Sequence, residues 1–291
     1  MIEHTVSIHD RGADQTSLVY DVISRRSGGL SLGINLFPEG KRCSFDCPYC
    51  EVKPSEGKPG FSAPAYSSGG LEAELEVFFT KTYTATWAPL PLRDICVSGN
   101  GEPTLSPHLL EALEICATAR RRHAAIVGAA PIVLITNATG FLDTELSGRL
   151  AEFATREPLK IWAKLDAGSQ KYFKAISRSS FSVEEISKAM AAFARTTPII
   201  IQTMLCEMNG QVPNVDEAMS FASRINAMLA SGARIEAIQV YTLARTPSEP
   251  WVRPLSDEVL AKFINIVNGS LHRRVPVTGY GEHGTDPLAQ A

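Results

Sequence analysis

LKIWAKLD (159–166) and PIIIQTML (198–205) enclose the segment SVEEISKAMAAFAR (182–195), and this stretch decides the fold. Each outer run is short and almost continuously apolar, as expected of a strand covered on both faces. Between them Val183, Ile186, Met190 and Phe193 recur at helical spacing, so the unit reads strand, helix, strand in one direction. Working outward, the same alternation predicts strands at LSLGINL (30–36), RDICVS (93–98), PIVLITN (131–137) and IEAIQVYTL (235–243), six strands in all. Helical patterns fill the intervals at 69–82, 107–123, 143–154, 169–177, 182–195 and 214–231, and another follows at 256–272. Serial strand–helix units predict an α/β protein, either a partial (β/α)6 barrel or an open doubly wound sheet. In both architectures ligands bind at the C-terminal ends of the strands, so polar residues there are the functional candidates.

The chain has 291 residues, 44% of them hydrophobic, enough for a sizeable core. A net charge of −3, from 28 basic and 31 acidic residues, creates no overall field that draws the protein to nucleic acid or an anionic membrane. The first residues, MIEHTVSIHDRGADQ, are polar, and no run reaches the roughly 18 apolar residues of a membrane span. These features predict a cytoplasmic protein with no membrane partner. The expected organisation is an N-terminal extension (1–29), a core domain (30–280) and a tail (281–291). EVKPSEGKPGFSAPAYSS (51–68), rich in Pro, Gly and Ser, reads as a surface loop.

Of the six cysteines, Cys96, Cys116 and Cys206 lie scattered in apolar surroundings and read as core thiols. The other three fall within eight residues: KRCSFDCPYCE (41–51) places Cys43, Cys47 and Cys50 on one tight loop just after the first strand. Thiolates are soft ligands, suited to iron–sulfur clusters, zinc or copper(I). Structural zinc requires four closed ligands, and no Cys or His lies nearby in sequence to supply the fourth. Three ligands leave one metal position open, and in a cubane cluster an iron without a protein ligand binds a substrate or cofactor directly. The competing readings are zinc completed by a distant Cys or His, a cluster that only carries electrons, and a zinc- or cluster-stabilised nucleic-acid-binding module.

Later strands end in polar residues. SGNGEPTL (98–105) holds Gly99, Asn100, Gly101 and Glu102, locally a turn signal. Thr136 and Asn137 open a polar turn. Lys164 and Asp166 terminate an apolar run and share one face by the period-two rule, so they either pair with each other or address polar groups of a ligand. Gln202 and Thr203, then Gln239 and Tyr241, are polar side chains within apolar strands, and such groups need partners. Arg245 follows in TLARTPSEP, facing an anionic substrate or a neighbouring carboxylate.

The cysteine spacing, its place after the first strand of a serial βα chain, and Tyr49 before the last cysteine together resemble the radical S-adenosylmethionine (SAM) superfamily, over about residues 30–245. The resemblance implies a partial (β/α)6 TIM-like barrel. It implies a [4Fe-4S] cluster on Cys43, Cys47 and Cys50, whose open iron is chelated by the amino and carboxylate groups of S-adenosyl-L-methionine. One electron, from a donor such as flavodoxin or ferredoxin, then cleaves SAM to a 5′-deoxyadenosyl radical that abstracts hydrogen from substrate. Gly99, Asn100, Gly101 and Glu102 match the family's Gly-Gly-Glu-like segment, which holds the methionine ammonium, with Asn100 where glycine is often found. Thr136 and Asn137 match a segment lining the cofactor pocket. By the same resemblance Lys164, Asp166, Gln202, Gln239 and Tyr241 take positions near ribose, carboxylate and adenine, with Tyr49 assisting by backbone or ring.

Together with CSFDCPYCE, SGNGEPTL, LDAG and VYTLARTP, the entry ISRRSGGLSLGINLFP (23–38) is similar to the branch related to tRNA wyosine-synthesis enzymes. Residues 1–42 carry none of the second cysteine set of the archaeal wyosine enzymes. The resemblance therefore carries chemistry further than substrate, which stays open among tRNA, a peptide and a small molecule. Arg25 and Arg26 either contact a phosphate or are solvated near the barrel mouth.

Overall fold

In the computed structural model residues 16–52 and 65–282 are described. The chain divides into two compact units. The first takes its described residues from those up to Cys43, from Val52 to Ile135 and from Glu152 to Lys160. It contains strands β1 (Val19–Ser24) and β2 (Gly29–Asn35), helix α1 (Ser68–Val77), β3 (Leu92–Ser98), α2 (Leu109–Arg122), the single turn α3 (Ala124–Val127) and β4 (Ile132–Thr136). β1 runs antiparallel to β2, whereas β2 with β3 and β3 with β4 are parallel. Leu30, Leu32, Ile34, Ile95, Val97, Ile132 and Leu134 are buried, and α1 and α2 cover the sheet with Leu71, Leu75, Leu109, Leu113 and Cys116. Ser67 caps α1 by accepting from Gly70 N, and α1 continues into a π-helix at Phe78–Trp87.

Helix α4 (Thr144–Arg156) and β5 (Leu159–Lys164) each span the boundary between the units. The second unit holds Ser44–Glu51, Thr136–Ala151 and the chain from Ile161 onward. Its further elements are α5 (Gln170–Ser177), α6 (Val183–Ala194), β6 (Ile199–Met204), the short β7 (Glu207–Met208), α7 (Val215–Ala230), β8 (Ile235–Tyr241), the short β9 (Val252–Arg253), α8 (Asp257–Ser270) and β10 (Val277–Tyr280). β5, β6, β8 and β10 follow one another as parallel neighbours, while β7 and β9 form a separate antiparallel pair. Each helix starts where a side chain satisfies its free amides: Ser169 for α5, Asn214 for α7, Ser256 for α8, and Ser182 with Glu185 as a capping box for α6. Val183, Ile186, Met190 and Phe193, the apolar stripe read from sequence, are all buried.

All six strand candidates are strands, and each predicted helix is a helix. β1 lies inside the stretch read as an extension, and β10 beyond the last predicted strand. β10 has only four residues, and β1, six residues long, is half-buried along its whole length, so neither carries the apolar run that marks the others. The loop expected at 51–68 lies, for 53–64, outside the described residues, as does the expected tail from residue 283. Cys96, Cys116 and Cys206 are buried as core thiols. Among the described residues no helix is long and apolar enough to cross a membrane.

Candidate functional site

In the first unit the approach to Cys43 is built on Asn35, the last residue of β2 and 2% exposed. Its Oδ1 accepts from the amides of Phe37 and Asn100, each at 3.1 Å, and Asn100 Nδ2 donates to the Phe37 carbonyl at 3.1 Å. The chain then pairs with the loop after β3. Arg42 N donates to Asn100 O at 3.0 Å and Glu102 N to Arg42 O at 2.8 Å, a parallel bridge centred on Arg42 and Gly101. This approach admits no side chain at 101, where a Cβ would stand 1.8 Å from Arg42 O. Gly99 has φ +118°, and a Cβ there would stand 2.7 Å from Asn35 Oδ1. Glu102 is 2% exposed. Its Oε1 accepts from Thr104 N at 3.1 Å and Thr104 Oγ1 at 2.6 Å, capping the turn Pro103–Leu105. Cys43 itself is exposed.

In the second unit the loop Ser44–Glu51 is pinned at almost every residue. Asn137 Nδ2 donates to Ser44 Oγ at 2.9 Å, and Ser44 Oγ lies 2.8 Å from Thr139 Oγ1. Thr139 also donates to Asn137 Oδ1 from its amide at 3.1 Å and its hydroxyl at 2.8 Å. Thr136 Oγ1 accepts from Ala138 N at 3.0 Å, holding Ala138 at φ +67°. Phe45 meets Phe173 edge-on at 5.6 Å, and Asp46 N donates to the carbonyl of Ser177 at 2.9 Å. Ser248 N donates to Cys50 O at 2.9 Å, and Arg245 Nη1 pairs with Glu51 at 2.5 Å. The segment after β8 thus closes over the last cysteine.

Tyr49 anchors the loop to β5. Its hydroxyl donates to Asp166 Oδ2 and accepts from Lys164 Nζ at 2.5 Å. Lys164 and Asp166 also form an ion pair at 3.5 Å, and Asp166 Oδ1 accepts from Met204 N at 2.8 Å. Burial first, then the Asp166 carboxylate, holds the Tyr49 phenol well above its ordinary range. Burial also pushes the Cys47 thiol up to about 12, against the pull of the Lys164 ammonium, so metal binding there must displace a proton. Gln202 Nε2 donates to Gln239 Oε1, and Tyr241 is buried at the end of β8. Gly168, closing the LDAG motif, packs against α7, where a Cβ would meet Phe221 N at 2.0 Å.

The structure therefore brings Tyr49, Lys164 and Asp166 together, Gln202 with Gln239, and Asn100 with Gly101 and Glu102 at Arg42. Ser44, Thr139, Ser248 and the Arg245–Glu51 pair are loop-holding residues that sequence reasoning did not connect. For Ser44 the available signal is a hydroxyl residue directly beside Cys43. Arg245 faces a neighbouring carboxylate, one of the two readings open from sequence. Arg25 and Arg26 lie in the turn between β1 and β2, with Arg26 near enough to Asp94 to act on its carboxyl.

Among the described residues no three Cys, His, Asp or Glu side chains stand as a preassembled metal-holding group. The donor chemistry fits an iron–sulfur cluster all the same: three thiols on one loop, outside any disulfide, exposed, buried and partly exposed in turn, with the backbone between them fixed.

No family model matches the sequence. Among curated proteins the chain is similar to the UPF0026 protein of Helicobacter pylori strain J99, 24% identical over 219 residues, covering 72% of this chain and 63% of that protein. It thus spans just under two thirds of that relative. Among solved structures it is similar to a radical SAM methyltransferase from Sphaerobacter thermophilus, with TM-score 0.61 and 18% identity over 90% of this chain and 69% of that one. It is also similar to methylornithine synthase, with TM-score 0.50 and 11% identity over 82% of this chain and 61% of that one. These likenesses show the fold class: α/β, a partial TIM-like (β/α) barrel of the kind radical SAM enzymes use. Of the two architectures open from sequence, the chain adopts the partial barrel.

Proposed function

We propose that this chain is a radical SAM enzyme whose Cys43, Cys47 and Cys50 hold a [4Fe-4S] cluster and whose strand ends hold S-adenosyl-L-methionine. The observation that carries the reading is the three-thiol loop, pinned from both flanks at the end of β2, in a fold shared with radical SAM enzymes. When bound, the cluster supplies one electron that opens SAM and frees a 5′-deoxyadenosyl radical, which takes a hydrogen atom from substrate. The chain's own task is to position the cofactor and exclude water. Gly99 and Gly101 bring backbone close to the cysteine approach, and Glu102 supplies a buried carboxylate for the methionine ammonium. Asn100 acts as a strut between Asn35 and Phe37. Thr136 and Asn137 shape the turn that holds Ser44. Lys164 and Asp166 fix Tyr49 next to Cys50, and Gln202, Gln239 and Tyr241 offer polar groups to ribose and adenine.

A reduced flavodoxin or ferredoxin is the proposed electron donor. The likeness of ISRRSGGLSLGINLFP and VYTLARTP to the wyosine-related branch makes tRNA base modification the substrate direction to test first. Anaerobic reconstitution followed by iron and sulfide analysis tests the reading, with electron paramagnetic resonance (EPR) of the reduced protein with and without SAM. The account expects about four irons and four sulfides per chain and a spectrum that changes when SAM is added. One zinc without labile sulfide, or a cluster spectrum indifferent to SAM, contradicts it.

A further inference from the structure

Lys164 and Asp166 place two opposite charges deep in the second unit, with side chains 16% and 3% exposed. A buried ion pair is a poor source of stability, because apolar residues of similar volume usually do as well or better. β5 needs no charge for packing, since Ile161, Ala163 and Leu165 are already buried on apolar contacts. The placement of the two charges is asymmetric. The Lys164 ammonium stands over the Tyr49 ring, 4.6 Å from its centre and 2.5 Å from its hydroxyl. Asp166 accepts from the same hydroxyl, pairs with Lys164 at 3.5 Å and is held there by Met204 N at 2.8 Å. Tyr49 adjoins Cys50 in sequence and is two residues from Cys47.

We propose that Lys164 is a positioning residue that sets the reduction potential of the cluster: its ammonium, held over Tyr49 by Asp166, raises the potential, and Asp166 partly offsets it. The inference rests on the radical SAM reading and deepens it. Reduction adds an electron to a centre already made anionic by three thiolates, so a fixed cation stabilises the reduced form more than the oxidised one. At low effective dielectric such a charge acts over several ångströms without being screened away. Tyr49 serves as the spacer that fixes the distance.

The test is the midpoint potential of reconstituted protein, followed by EPR during a redox titration, with iron and sulfide content measured for every variant. Lys164→Met is expected to shift the potential to more negative values, and Lys164→Arg to leave it near wild type. Asp166→Asn, which keeps the acceptor for Met204 N, is expected to shift it the opposite way. A merely structural role does not produce shifts of opposite sign. If Lys164→Met loses the cluster, a potential near wild type in Lys164→Arg together with a shift to more positive values in Asp166→Asn still decides. Potentials unchanged in all variants, or shifted in the same direction by Lys164→Met and Asp166→Asn, overturn the inference while leaving the enzyme reading intact. Wild type that assembles no iron and sulfide overturns both.

Discussion

Gly101 lies so close to Arg42 that a Cβ at 101 would stand 1.8 Å from the Arg42 carbonyl oxygen. The contact joins the loop after β3 to the residue preceding Cys43. Gly101→Ala forces the two segments apart, at a cost of about 1–3 kcal/mol as an overpacked site. The expected outcome is a lowered thermal midpoint together with faster loss of cluster iron. Gly148→Ala, in the exposed middle of α4 with nothing within 4 Å of the added carbon, is the matched control. It should raise stability by roughly 0.5–1 kcal/mol through helix propensity.

Asn137 holds Ser44 from 93 residues away, and Thr139 completes the network. Asn137→Ala leaves the Ser44 and Thr139 groups short of a partner, which costs about 1–3 kcal/mol for groups this deeply placed. Denaturant titration checks the stability loss, and the rate of iron release to a chelator checks the expected faster escape of the cluster.

Arg245 and Glu51 form a partly exposed pair, each about a third accessible, beside Cys50. Pairs of this exposure contribute about 1 kcal/mol or less and weaken with salt. Arg245→Met should therefore speed iron release at low ionic strength, with a gap to wild type that narrows as salt is added. A gap independent of salt assigns Arg245 a different role.

Asp94 is 2% exposed and accepts the Ser31 hydroxyl. Burial raises its pKa, outweighing the opposing Ser27 and Ser31 hydrogen bonds and Arg26. A raised folded-state value means that the protonated carboxyl is the one the fold favours. Stability from this group is present below the unfolded pKa and is lost as pH rises through the folded one. Asn at 94 does not titrate, so Asp94→Asn should exceed wild type in thermal midpoint near about pH 7, and the difference should shrink toward about pH 4. A constant difference across that range contradicts the assignment.

The parallel strands β2 to β6 and β8 were legible because each carries a largely apolar run, as in Ile161, Trp162 and Ala163 at the heart of β5. β1 was not, because Val19–Ser24 is half-buried throughout and mixes Asp21 among apolar residues. The candidate site divides along the same line. Cysteine spacing is local, and the period-two rule suffices to place Lys164 and Asp166 on one face. The closure of that pair by Tyr49, across 115 residues, depends on tertiary structure that no local pattern encodes. Asn100 is instructive: in sequence it departs from a glycine-rich segment, whereas in the structure its side chain bridges to the Phe37 carbonyl.

The central claim is that the three-cysteine loop carries a cluster able to open SAM, and quantifying 5′-deoxyadenosine from reconstituted, reduced protein tests it most directly. The account predicts reductant-dependent product from wild type and from Cys116→Ser, whose thiol is buried in α2, and none from Cys43→Ala, Cys47→Ala or Cys50→Ala. Wild type that holds its full iron and sulfide yet yields no 5′-deoxyadenosine contradicts it, as does product formation that survives loss of any of the three cysteines.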